Sequence, residues 1–593
     1  MTSAINRLDF YKSGHGPQYP EGTEYVYAGW TPRSTKYAET EKITVFGHQA
    51  AVLNFLIKDF DDTFFLQPVD KVVKSYARRM DNALGKGAVG TEHIRALHKL
   101  GYLPLRIKSL PEGVKVSAKI PTLTIINTQP EFFWLTNYLE SALSGYLWLP
   151  ATSASIAGKY FDILKAAAER TGTPPEFVPL QGHDFSMRGM YGDAASASGA
   201  GHLAAGFIGT DSVTAIDFLE ELYGANSDKE LVGVSVPATE HSVMCMGTQG
   251  DEIGTFSRLL DMYPAGIVSI VSDTWDLWKV LTEYAPALKE KIRARKPINS
   301  YEYYTLNNDE CAGELQLAYN NGFRVVKTTD DKGVTEYVAL VLEQGVVKLG
   351  GRTMEPPVTI VPGKTVFRPD SGDPVKIITG YKVEDTDAAG FYSGMSKYYI
   401  REYLQKAKPD VEAIKLNGVY WDLADLNKEL KECEVKGVVE VLWDEFGGEI
   451  NDKGFKQLVE VGAIYGDSIT LTRAQQIVDR LADKGFASGN IVLGIGAFTY
   501  QYNTRDTYGF AMKATWGQVN GEGRDIFKDP VTDDGVKKSA KGLMRVELED
   551  GEYVLYDQQT KEQEAQGELQ VIYEDGIAYN LQTLAEIRER ATA

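Results

Sequence analysis

From residue 176 onward one pattern recurs: a short apolar run ends in polar, glycine-rich residues, and an amphipathic helical stretch usually follows. Phe177–Leu180 leads to Gly182-His183-Asp184-Phe185, and Gly206–Gly209 leads to Thr210-Asp211-Ser212 before a helical Val213–Tyr223. Val232–Val236 leads to Pro237-Ala238-Thr239-Glu240-His241, and Ile267–Val271 to Ser272-Asp273 before Trp275–Ile292. Thr365-Val366-Phe367 ends at Arg368-Pro369-Asp370, Val461–Tyr465 at Gly466-Asp467-Ser468, and Ile491-Val492-Leu493 at Gly494-Ile495-Gly496. A helix is predicted near Thr472, with Ile477 and Leu481 one turn apart and Gly485 as its stop. Apolar strands alternating with helices imply a parallel sheet covered on both faces. The repeat predicts an α/β fold, an irregular or incomplete (β/α) barrel. In such a fold the C-terminal strand ends converge on one mouth, so these polar tips become neighbours.

Two stretches break the rhythm. Asp273 to Arg368 is too long for one crossover, and Gly322–Lys327, Thr335–Leu342 and Gly345–Leu349 have the alternating, β-branched character of hairpin strands. Residues 296–362 are therefore read as an inserted β subdomain, and 383–455 as a second addition of mixed character. Residues 1–150, with strand-like Glu24–Trp30, a helix near Gln49–Phe60, and strands at Val114–Ala118 and Leu123–Ile126, form a β-rich α+β layer. The α/β barrel spans 151–542, and 543–593 returns to the β-rich layer.

The 593 residues leave room for a large core. A net charge of −20 disfavours a nucleic-acid partner, which needs clustered cations, but not a small phosphate, which needs only local ones. Cys245, Cys311 and Cys433 are odd in number and far apart, which suits a reducing cytoplasm rather than a disulfide framework. No run of about 18 apolar residues is present, so no membrane span is expected.

The octapeptide Phe367–Pro374 carries the densest chemistry. The fork of Arg368 suits phosphate oxygens, and Asp370 and Asp373 suit sugar hydroxyls or a hydrated Mg²⁺. A buried ion pair closing a turn is the plainer alternative. His241, with Glu240 beside it, could act as acid, base or nucleophile, or simply pack against a carbonyl. All seven histidines lie before residue 242, so candidates for such chemistry are few. Asp211 could cap a helix or accept from a ligand amide. Phe185 could stack on a flat ring while Arg188 meets a carbonyl or phosphate; the plainer roles are core packing and solvation. The backbone of Gly494-Ile495-Gly496-Ala497 could cradle phosphate, and Arg505, Lys513, Lys528, Lys537 and Lys538 downstream could add charge for a diphosphate. Asp467 after Gly466 could bind ribose hydroxyls.

Asp9-Phe-Tyr-Lys, His183–Gly189, Gly209-Thr-Asp211, Ser235–Ser242, Ser269–Asp273, Phe367–Pro374, Tyr465-Gly-Asp467 and Asn520 through Pro530 occur in one order along the chain. In these segments the chain resembles the type II phosphoribosyltransferases that use nicotinamide. The resemblance implies a homodimer with its site at the interface. It also implies transfer of 5-phosphoribosyl from 5-phosphoribosyl 1-diphosphate to nicotinamide, giving nicotinamide mononucleotide and diphosphate, with Mg²⁺. By position, Phe185 and a partner's Tyr11 would sandwich nicotinamide. Arg188 and Ser269 would meet its carboxamide oxygen, and Asp211 its nitrogen. Arg368, Asp370, Gly466 and Asp467 would hold ribose and phosphate, with Asp370 the one candidate near the metal. Gly494, Gly496, Ala497 and Arg505 would hold the 5-phosphate. ATP would phosphorylate His241, oriented by Glu240 and Asp273. Two departures stand out: the Gly494–Phe498 loop is poorer in glycine than the family's, and both additions exceed the vertebrate form. Nicotinate phosphoribosyltransferase is the nearest rival, which Asp211 opposes because an anion facing a carboxylate costs affinity. A barrel glycosidase would need paired carboxylates around a neutral glycan. A non-catalytic binding protein on the same scaffold is a third reading.

Overall fold

Residue periodicity is translated into two units, the first built from Met1–Phe161, Ser186–Ala225 and Ala497–Ala593, the second from Asp162–Phe185 and Asn226–Gly496. The structure is a computed structural model that describes residues 3–300, 324–329, 335–340, 347–349, 352–354, 359–361, 363–527 and 540–593, with backbone alone over 298–361.

The first unit is organised by a seven-stranded antiparallel sheet. Its order is Glu522–Asp525, Ala511–Val519, Thr23–Thr31, Leu123–Asn127, Leu105–Ser109, Gln570–Glu574, Ile577–Ala578. Val26 through Trp30 are buried without a break, so both faces of that central strand are covered. Trp30 stacks on Phe510 with ring centroids 5.2 Å apart, joining residues from opposite ends of the sequence in one core. The helix at Val69–Leu84 buries Val72, Val73, Tyr76 and Met80, an i, i+3/i+4 stripe that faces this core.

The second unit contains five parallel strands: β1 (Gly182–Phe185), β2 (Ile267–Val271), β3 (Lys364–Arg368), β4 (Val461–Tyr465) and β5 (Ile491–Gly496). They lie in the order β1-β5-β4-β3-β2. All five residues of β4 are buried, as expected of a strand covered on both faces. The helix after it runs Leu471–Asp483. Thr470 caps it by accepting from the Arg473 amide, and Leu471, Ala474, Ile477, Val478 and Leu481 pack inward.

Several predicted strands are shorter or absent. Phe177–Gln181 forms helical turns instead, with Pro175 and Pro179 in their first positions, where a fixed φ favours a helix. The strand therefore starts only at Gly182. Val232–Val236 makes no ladder; Pro237 lacks a donor, and the outer edge of β2 receives a single bridge from Ala238 to Ser269. The stretch Trp275–Ile292 is several short helical pieces, interrupted at Leu288, with Pro286 in the first turn of the piece Ala285–Ala287. Within 298–361 the backbone forms three antiparallel two-stranded pairs. Within 383–455 a four-stranded sheet and the helix Lys397–Ala407 enclose a small core of their own, with Ile400, Leu404 and Ile414 fully buried.

Candidate active site

Parallel register aligns the strand ends. Arg368 lies opposite Val271, Phe367 opposite Ala463, Tyr465 opposite Leu493, and Gly496 opposite Phe185. The residues that follow, Ser272-Asp273, Pro369-Asp370 and Gly466-Asp467, therefore emerge at one edge of the sheet.

There the charged groups are tied to one another. Arg368 Nε stands 3.1 Å from Asp370 Oδ2, and Nη2 donates to the Thr239 carbonyl at 2.8 Å. Asp370 Oδ1 accepts from the Gly466 amide at 3.0 Å, which fastens the tip of β3 to that of β4. Burial pushes the Asp370 carboxyl above its ordinary pKa; Arg368 and the Gly466 amide oppose the shift, and Asp273 adds to it. The ion pair foreseen as the plainer reading is present, and it lies at the strand edge where the functional reading needs it.

His241 opens the helix His241–Met246, and its half-exposed ring has Nε2 3.4 Å from Asp273 Oδ1. Asp273 is only 5% exposed, and its other oxygen accepts the Ser371 hydroxyl. Glu240 instead accepts the hydroxyl of Ser242, so the carboxylate beside the histidine ring is that of Asp273. Ser272 Oγ accepts from the Arg368 amide at 3.3 Å, a second tie between β2 and β3. Tyr465 donates its hydroxyl to the Gly372 carbonyl at 3.0 Å.

Phe185 ends β1 with its ring seated against two glycines. A Cβ on Gly494 would come within 2.4 Å of the ring, and one on Gly466 within 2.8 Å. Gly494 is a buried residue of the β5 ladder opposite His183, so its missing side chain serves the Phe185 ring. Gly496, the last residue of β5, is partly exposed, and a Cβ there would meet the Gly466 carbonyl oxygen at 4.0 Å, ordinary contact. Asp467 is exposed at the β4 tip. Ser269 is buried in β2, and its hydroxyl oxygen has no hydrogen-bond partner among the described residues. Asp373 accepts from the Val375 and Lys376 amides as the cap of helix Pro374–Thr379.

The remaining candidates belong to the first unit. Tyr11 is exposed on the turn Phe10–Ser13, with its ring edge-on to His15. Arg188 is exposed on the turn Met187–Gly189. A Cβ on Gly189 would lie 2.3 Å from that of Ala497, so the segments carrying Arg188 and Ala497 touch. Asp211 is exposed just before helix Val213–Tyr223, whose N-cap position is Ser212. Arg505 pairs with Asp506 at 2.9 Å, and Lys513 lies 3.7 Å from Glu140. Lys528, Lys537 and Lys538 lie outside the described residues. Sequence reasoning missed Thr239, Ser272, Ser371 and Tyr465 as site-forming groups. Each is next to or within two residues of a residue that it did name, which is the only signal the sequence carried.

Among the described residues no three His, Cys, Asp or Glu side chains converge as a metal cage. Two carboxylates, those of Asp273 and Asp370, are the acidic groups here that could stand beside a cation held mainly by other ligands. Asp273 Oδ1 is a buried carboxylate oxygen that has His241 Nε2 at 3.4 Å but makes no hydrogen bond among the described residues, and its charge helps raise the pKa of Asp370.

The profile of the Nicotinate phosphoribosyltransferase (NAPRTase) family matches residues 180–309 and 364–577. The gap at 310–363 overlaps the predicted insertion, whereas 383–455 falls inside the matched span. A Nicotinamide phosphoribosyltransferase of Acinetobacter baylyi is 47% identical over 595 residues, covering 99% of this chain and 96% of that protein. Another, from Xanthomonas campestris pv. campestris, is 25% identical over 605 residues, covering 100% of this chain and 99% of that protein. Among solved structures, the crystal structure of human Nicotinic Acid Phosphoribosyltransferase aligns with a TM-score of 0.45 at 14% identity, covering 98% of this chain and 93% of that chain.

Proposed function

The chain belongs to the nicotinate phosphoribosyltransferase family, and from that premise we propose that it transfers 5-phosphoribosyl from 5-phosphoribosyl 1-diphosphate to nicotinamide. The products are nicotinamide mononucleotide and diphosphate, a salvage step toward NAD. The observation that carries the reading is the adjacency of a flat apolar platform and a cation–anion clamp. Phe185 packs on Gly466, and Gly466 donates to Asp370, which pairs with Arg368. A pyridine ring laid on Phe185 would then stand near a ribose held by the clamp.

The C1–diphosphate bond of the ribose breaks as the pyridine nitrogen forms its bond to C1, through an oxocarbenium-like ribose. No general base is required, because the attacking nitrogen carries no proton. Arg368 would neutralise phosphate, and Asp370 and Asp467 would accept from ribose hydroxyls and face the developing positive charge. Arg188 and Ser269 would donate to the carboxamide oxygen, and Asp211 would accept from its NH₂. Gly496, Ala497 and Arg505 would meet the 5-phosphate, with Lys513 and Lys528 supplying charge. Mg²⁺, when bound through the diphosphate with Asp370 or Asp273 beside it, would supply charge neutralisation of the leaving group.

His241 is the proposed acceptor of a phosphoryl group from ATP. The γ-phosphorus–oxygen bond breaks, ADP leaves, and a nitrogen–phosphorus bond forms at the ring. With Nε2 turned toward Asp273, Nδ1 is the nitrogen left for attack. A homodimer would bring a partner's Tyr11 to the second face of nicotinamide. The parallel sheet is read as the open part of an incomplete barrel. No described helix is long and apolar enough to cross a membrane. A cytoplasmic location is proposed on cysteine usage, with Cys245 and Cys433 both free thiols.

Purified protein with phosphoribosyl diphosphate, Mg²⁺ and either nicotinamide or nicotinate, with and without ATP, tests the reading by mononucleotide formed. Turnover of nicotinamide well above nicotinate is expected. Preference for nicotinate, or no mononucleotide from either base, would overturn it.

A further inference from the structure

Between β4 and its helix the chain runs through Gly466-Asp467-Ser468-Ile469-Thr470, and one residue there is in an unfavourable conformation. Ser468 has φ of +50°, in the left-handed region where a side chain clashes with its own backbone. A serine stays there only if its surroundings hold it. The hold is specific: Arg473 Nη1 donates to the Ser468 carbonyl at 2.6 Å. Arg473 is itself fixed, because its amide donates to the capping hydroxyl of Thr470 at 3.2 Å. On the other side, the Gly466 amide is held by Asp370 at 3.0 Å. Exposed Asp467 thus hangs between two anchored neighbours, one tied to the octapeptide and the other to the helix.

Arg473 is not a core residue. With Asp373, Asp479 and Asp483 it lines a cavity of about 500 Å³ on the unit that carries the clamp. Its partly exposed guanidinium reaches from the first turn of the helix back to the turn that precedes it. Such a side chain does little for hydrophobic stability and much for the geometry of what it grips.

We propose that Arg473 is a positioning residue: by holding Ser468 in its left-handed conformation it aims Asp467 at the ribose of phosphoribosyl diphosphate. This rests on the ribose-binding role proposed for Asp467. Loss of the grip lets Ser468 relax, and Asp467 swings with it. A displacement of that kind weakens ribose binding while leaving the pyridine platform of Phe185 in place.

The test uses full-length enzyme. Wild-type turnover of nicotinamide decides the functional reading independently of the variants. In Arg473→Met, KM for phosphoribosyl diphosphate should rise about tenfold, with KM for nicotinamide and the melting temperature nearly unchanged. Adding Ser468→Gly, which accepts a positive φ without restraint, should recover part of the loss, and Arg473→Lys should fall between the two. An unchanged KM for phosphoribosyl diphosphate in Arg473→Met would overturn the proposal. So would equal rises in both KM values with a lowered melting temperature, or no recovery on adding Ser468→Gly.

Discussion

The ring of Phe185 occupies the volume that a side chain on Gly494 would need, with a Cβ there falling 2.4 Å from ring carbon Cδ2. Two adjacent parallel strands thereby fix the angle of an aromatic platform without a polar contact. Gly494→Ala should push the ring off this seat. We expect about 1–3 kcal/mol of destabilisation from overpacking and a KM for nicotinamide raised about tenfold. In Phe185→Ala/Gly494→Ala the clash disappears, so the double variant should be more stable than the two single losses add up to. Additive losses in urea unfolding would show that the two residues do not press on each other.

The pairing of His241 with Asp273 predicts how ATP acts. In His241→Asn the ratio of turnover with ATP to turnover without it should fall to about one, and acid-labile phosphate on the protein should vanish. Asp273→Asn should lower the ratio less, since it removes the orienting charge and leaves the ring. Undiminished ATP stimulation in His241→Asn would assign the effect to another residue.

Arg368 both pairs with Asp370 and donates to the Thr239 carbonyl. A lysine carries one point charge and cannot span both partners as the guanidinium fork does. Arg368→Lys should therefore lower kcat/KM for phosphoribosyl diphosphate about 10- to 100-fold. Steady-state kinetics showing near wild-type efficiency would mean that charge alone suffices there.

Asp211 is expected to choose between the amide and acid forms of the pyridine. Asp211→Ser should shift the ratio of kcat/KM for nicotinate over nicotinamide upward by about tenfold or more, by removing a repelling anion and an acceptor together. A ratio equal to that of the wild type, measured by competition of the two bases, would remove the residue from the specificity account.

Glu252 gives a pH prediction that does not depend on catalysis. It is 3% exposed at the start of helix Glu252–Met262, and one of its carboxylate oxygens lacks a hydrogen-bond partner among the described residues. Burial raises its pKa from 4.5 to about 7; Lys279 opposes the shift, and Asp276 adds to it. Because the folded value is the higher one, the stability linked to the protonated form is complete below pH 4.5 and is lost as pH rises through about 7. Urea midpoints should fall more from pH 4.5 to 8 in wild type than in Glu252→Gln, which has no proton to lose. Parallel pH profiles would count against it.

Much of the candidate site was legible because it is local. The octapeptide around Arg368 and Asp370, the Gly466-Asp467 tip and the His241 segment each combine residue types that serve charge and sugar chemistry within a few positions. The helix after β4 was placed to within a residue because its cap, stripe and terminal glycine are adjacent in sequence. Strand lengths were less legible: Phe177–Leu180 is apolar, but Pro179 within it and Pro175 before it impose a helical φ that apolar content does not reveal. The packing role of Gly494 was hidden for a related reason. A glycine in a loop-like sequence suggests an exposed backbone, whereas here it makes room for a ring from a strand hundreds of residues earlier.

Period, polarity and turn residues were enough to indicate alternating β/α units with polar and charged groups at the strand tips, because those preferences act over a few residues. Which tip touches which was decided only by the tertiary structure. The order β1-β5-β4-β3-β2 brings Phe185 beside Gly466 and Gly494, and Arg368 beside Thr239, through register and packing between segments far apart in the chain. Those contacts depend on steric fit across strands, and no local preference encodes it.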